Sequence, residues 1–78
     1  MNYKDRIISD YKIMLGKPVI KGTRITVELI LRKMAEGAVA LEIIEMYPKL
    51  KLEDVMACLN YAADLIAEEE VIEIAKAS

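Results

Sequence analysis

Between Gly16 and Val27 the chain reads GKPVIKGTRITV, a stretch that holds two of its three glycines and one of its two prolines. No other stretch restricts the backbone so tightly. Pro18 has no donor N–H, so a strand through PVI has to start there or lie at an edge. Gly22 reaches positive φ at no steric cost, which predicts a tight reversal at Lys21-Gly22 between PVI and TRI. Thr26 then offers a hydroxyl to the first free N–H groups of a helix, and Glu28 suits the positive end of the helix dipole.

The rest of the fold reads outward from this turn. Upstream, RII is a second short apolar piece, bounded by Asp10. Downstream, Val27, Ile30, Leu31 and Met34 recur at helical spacing, and Gly37 stands where a helix would stop. A short second helix is expected over about Ala40 to Tyr47, with Leu41, Ile44 and Tyr47 on one side and Pro48 as its stop. A third helix is expected from about Leu52. Leu52, Val55, Met56, Leu59, Ala63 and Ile66 form the predicted core stripe. The fold class is therefore mainly α: an N-terminal hairpin arm over 1–25, three helices over 26–67 in a helix-turn-helix order, and an acidic, apolar tail over 68–78.

A chain of 78 residues makes one domain with a marginal core. The single cysteine, Cys58, excludes an intrachain disulfide, and the absence of histidine removes the usual zinc ligand sets. With 55% hydrophobic residues on so short a chain, a second subunit is the expected support. MNYKDRIISD carries charges where a signal peptide needs an apolar run, and no uninterrupted apolar stretch approaches membrane-spanning length. A cytoplasmic, non-membrane protein is the expectation.

Catalysis has few tools here. Without histidine there is no Ser–His or Cys–His pair. Gly16 and Gly22-Thr23-Arg24 miss the spacing and the lysine of a Walker loop, and a dinucleotide fingerprint is absent. Glu53-Asp54 and Glu68-Glu69-Glu70 read as solvated charge. Neither an enzyme nor a cofactor nor a metal site is expected. Charge is unevenly spread: residues 1–33 carry eight basic side chains against three acids, and residues 34–78 three lysines against ten acids. Such a bipolar chain suits two different partners or head-to-tail attraction, although a short chain reaches such a split by chance too.

GKPVIKGTRI, followed by a helix, a glycine and EIIEMYPKLKLEDVMACLNYA, resembles the small bacterial and archaeal family known as domain of unknown function 433. The resemblance runs from about Arg6 to Ala63. Gly16, Pro18, Ile20, Gly22, Thr23 and Arg24 match its signature turn, and Tyr47, Pro48, Leu50, Glu53, Asp54 and Val55 its second motif. Tyr11 stands in place of a common proline. Ala40 and Lys51 stand where members usually carry a capping Ser or Thr, a loss of about 0.5–2 kcal/mol each. The resemblance implies a homeodomain-like helix-turn-helix and an antitoxin-like function beside a PIN-type nuclease, with operator DNA as a second partner.

Two readings of the signature turn stay open. In one it is a structural hairpin, with Arg24 buried as a strut to Glu53 or Asp54 and with Lys17 and Lys21 exposed. In the other it is a basic surface for phosphate or an acidic partner. The third helix has no Lys or Arg from Leu52 to Ala75. DNA contacts are therefore expected from Lys17, Lys21, Lys49 and Lys51, and contacts to a protein partner from Ile66, Val71, Ile72 and Ile74. A homodimer is expected through free strand edges at residues 6–9 and 18–20. The alternative is a dimeric interaction module with no affinity for nucleic acid.

Overall fold

The N-terminal third is organised around one strand of two residues. The computed structural model describes residues 3–68; in it β1 (Ile7–Ile8) and β2 (Val19–Ile20) pair antiparallel, Ile7 opposite Ile20 and Ile8 opposite Val19. On that side Lys21 N–H donates to Arg6 O at 2.8 Å. The other side of β2 is occupied by its own chain: Ile20 N–H donates to Ile25 O, and Val27 N–H to Pro18 O, each at 2.9 Å. Residues 18–20 therefore offer no free edge to a second copy, because those backbone groups are already paired within the chain. Pro18 enters the strand with its carbonyl used and no donor lost.

The reversal out of β2 is held by one side chain. Thr23 Oγ1 donates to Ile20 O at 2.8 Å and accepts from Ile25 N–H at 2.9 Å, while Gly22 sits at φ +82°. A side chain at position 22 would meet open space, so conformation rather than crowding selects glycine there. Between the strands, Met14, Leu15 and Gly16 form a left-handed run at φ 51°, 57° and 85°. That geometry costs non-glycine residues on the order of 1–2 kcal/mol each.

Three helices follow: α1 (Val27–Ala35), α2 (Ala40–Met46) and α3 (Leu52–Glu68). Thr26 caps α1, its hydroxyl accepting from Leu29 N–H at 3.0 Å. At the far end Gly37, at φ +110°, donates to Met34 O and Ala38 to Lys33 O, a paired C-terminal closure. Neither later helix has a capping hydroxyl, and each uses an acid three residues in. Glu42 accepts from Val39 N–H at 2.8 Å, and Asp54 Oδ2 from Lys51 N–H at 2.9 Å. Both are the reciprocal half of a capping box. Lys51 sits at the cap position as expected, and Ala40 is one residue inside its helix.

Val27 and Ile30 of α1 are buried, and Leu31 and Met34 pack beside them, as their spacing predicts. For α2 the inward residue is Ile43, flanked by Ala40, Ile44 and Tyr47, and Leu41 is exposed. The i, i+3, i+4, i+7 set begins at Ala40 rather than Leu41. For α3 the difference is larger. Its buried residues are Asp54, Val55, Ala57 and Cys58, whereas Leu52, Met56, Leu59 and Ile66 of the expected core stripe face outward. Tyr61 completes the inner face, its ring edge-on to Tyr3 with centroids 5.5 Å apart. Ile7, Ile20, Leu50 and Val55 close the core between ribbon and helices. Among the described residues no helix is long and apolar enough to cross a membrane.

Candidate partner-binding surfaces

The inner face of α3 contains a carboxylate because the N-terminal arm supplies its cation. Asp54 is buried, and its Oδ1 accepts from Arg6 Nη1 at 2.9 Å while Oδ2 caps the helix. Both oxygens are therefore satisfied, which is the condition under which a buried carboxylate is tolerated. The strut expected from Arg24 is made by Arg6. Arg24 itself is exposed, because the Ile20–Thr23 turn is closed by Thr23 and leaves the next side chain pointing away from the core. The clue to the pair was Asp54 within an apolar run, but its partner lies 48 residues upstream, and no local spacing names it.

Arg24 instead belongs to a surface groove of about 420 Å³ lined by Ile13, Gly22, Thr23, Arg24 and Lys49. The Tyr47–Leu50 turn brings Lys49 there: Leu50 N–H donates to Tyr47 O at 2.8 Å, with Pro48 and Lys49 exposed at its tip. The two signature stretches, GTR and YPKL, thus meet at one place. Lys21 and Lys51 are exposed, the first on the same hairpin turn and the second at the head of α3. Lys17 is exposed as expected but lies elsewhere, its Nζ 3.5 Å from Glu28 Oε1.

Lys17 lines a second groove, of about 590 Å³, between α1 and the distal half of α3. Its walls include Pro18, Val27, Leu31, Ala35, Tyr61 and Leu65, and Lys17, Glu28 and Arg32 supply its charges. Glu28 also accepts from Arg32 Nε at 3.0 Å. The Arg32 hydrogen bond, followed by the Lys17 charge, holds the Glu28 carboxyl below the usual glutamate range. Apolar walls bordered by paired charges suit apolar side chains from a partner protein.

Cys58 faces the core. Burial, helped by the Asp54 charge, pushes its thiol up to about 12, so a reactive thiolate is not formed near neutrality. Among the described residues no three His, Cys, Asp or Glu side chains converge as metal ligands. Of the residues expected to meet a partner protein, Ile66 is exposed on α3, and Val71, Ile72 and Ile74 lie outside the described residues.

A family model described as protein of unknown function DUF433 matches residues 7–62. No curated protein matches the chain, and no solved structure does.

Proposed function

The chain belongs to the DUF433 family, and on that premise we propose that it is a binding protein rather than an enzyme: an antitoxin-like, DNA-binding regulator that neutralises a PIN-type nuclease. The carrying observation is the meeting of Arg24 with Lys49 at one open groove, two cations from separate signature stretches with no acid lining the site. With Lys21 and Lys51 nearby in sequence, this is the surface best suited to phosphate oxygens. The groove between α1 and α3 is the surface best suited to a protein partner, and the nuclease is assigned there. In this reading α2, the Tyr47–Leu50 turn and α3 form a helix-turn-helix used through its turn rather than its last helix.

Filter binding to the DNA upstream of the chain's own gene tests the reading. Affinity is expected to fall steeply with salt as phosphate counterions are released. The double variant Arg24→Ala/Lys49→Ala is expected to weaken binding by about tenfold or more, since each lost phosphate contact to a charged group contributes roughly 1 kcal/mol or more. Lys17→Ala, whose charge is turned toward Glu28, is expected to matter least. Absence of any salt-dependent affinity would leave the alternative, an interaction module without nucleic-acid binding. One observation favours that alternative: the outward face of α3 is apolar, and α3 carries no cation from Leu52 to Glu68.

A further inference from the structure

The outward face of α3 carries Leu52, Met56, Leu59, Ala63 and Ile66, spaced by four, three, four and three residues. That is two heptads of a strict seam, narrower than the broad stripe a helix buries in a globular core. The seam runs along the side of α3 away from Asp54, Cys58 and Tyr61, so α3 is apolar on both sides. Its large residues are uncovered: Leu52 is 47% exposed, Met56 42%, Leu59 38% and Ile66 68%. We propose that this seam pairs with the same seam of a second copy, antiparallel, to make a two-fold dimer through α3.

Three observations select a second copy and this direction. First, a heptad seam is self-complementary, and a two-fold axis repeats each contact. In an antiparallel pair the alternate seam positions meet, so Leu52 lies against the partner's Ala63 and Met56 against the partner's Leu59. The small residue then faces a large one at each end, and the middle is filled by Met and Leu. Second, the positions flanking the seam are Glu53, Val55, Asn60, Ala62 and Ala67, of which only Glu53 is charged. Closing the seam therefore dehydrates little charge. Third, Lys51 stands at the head of α3, while Asp64 and Glu68 stand exposed near its foot. An antiparallel pair sets the lysine-bearing head of each helix at the acid-bearing foot of its partner, whereas a parallel pair would crowd four carboxylates at one end. The seam is only about 21 Å long at 1.5 Å per residue. Because the body of the chain already holds α3 helical, pairing does not carry the ordering cost of an isolated short coiled coil. The dimer does not depend on the nucleic-acid reading.

Sedimentation equilibrium of the full chain tests this. The unaltered chain is expected to dimerise, and a monomer persisting up to about 100 µM would overturn the proposal, leaving the seam to a helix of another protein. Leu59→Glu places two carboxylates at the centre of the seam and is expected to weaken association by more than about tenfold while the circular dichroism stays helical. A dimer as tight as the unaltered one overturns the proposal. Should Leu59→Glu unfold the chain, Met56→Lys, at a site 42% exposed that faces the partner's Leu59, reads the same effect. Direction is read by oxidising an equal mixture of the single variants Leu52→Cys and Ala63→Cys. Cross-links between the two variants support the antiparallel pair. Cross-links only within each variant overturn it.

Discussion

α1 and α3 look alike as sequence and differ in the structure. Each begins with an acid in its first turn and carries apolar residues at three- and four-residue steps. In α1 the periodic set is the buried set, Val27 and Ile30 with Leu31 and Met34, and its outer face carries the Glu28–Arg32 pair at 3.0 Å. In α3 the most regular set faces solvent, and the buried set is interrupted by Asp54. Periodicity therefore locates a helix in both cases but tells which side is inside only where one side is apolar. Once a helix is apolar on two sides, the choice falls to packing: the compact set Val55, Ala57 and Cys58 fits beneath α1 and α2, and the long side chains remain outside.

The largest expected effect separates these two faces directly. Ile30→Ala empties a fully buried site and is expected to cost about 2–5 kcal/mol of stability. Ile66→Ala, at an exposed site on the outer face of α3, is expected to stay within about 0.5 kcal/mol in the monomer. Urea denaturation at concentrations below self-association measures both. Comparable losses would mean that the outer face of α3 is packed within one chain.

A smaller effect tests why α3 turns its acid inward. Arg6→Ala leaves Asp54 buried with one oxygen unpaired, and the expected cost is about 2 kcal/mol, below that of a fully enclosed pair because the arginine is 33% exposed. Arg24→Ala is expected to cost no more than about 0.5 kcal/mol, as for other surface charges. The reverse order in thermal melts would restore Arg24 as the strut.

These pairs show what could be read beforehand. Hairpin, turn and α1 were legible because their signals are local: Gly22 at positive φ, Thr23 and Thr26 bonding to backbone within three residues, Gly37 closing the helix. The closures of α2 and α3 were half legible. Lys51 was correctly placed at a cap, but the acids that do the capping, Glu42 and Asp54, act from three residues inside their helices. The inner side of α3, the Arg6–Asp54 pair and the closed edge of β2 were not legible, since each depends on residues far apart in the chain or on both sides of one strand. The candidate surfaces divide in the same way. Exposure of Lys17 and Lys21 followed from the turn, but the meeting of Arg24 with Lys49 needed the three-dimensional path of the α2–α3 turn.

The smallest expected effect concerns the outer face of α1, where charge takes the place that apolar residues hold on α3. Glu28 is held by Arg32 and Lys17, and its carboxyl lies below the ordinary range. A folded-state value lowered in this way contributes stability above the unfolded value, about pH 4.3 for a glutamate, and the contribution is lost as pH falls through the folded value. Glu28→Gln is therefore expected to lower the melting temperature slightly near neutrality and to converge on the unaltered chain in acid. Added salt is expected to narrow the difference, because all three groups are exposed to solvent. The seam on α3 has no such charges, so Leu59→Ala is expected to show no comparable convergence in acid. A difference between Glu28→Gln and the unaltered chain that grows below pH 4 would show that the carboxyl stabilises the fold as a neutral hydrogen-bonding group rather than as an anion.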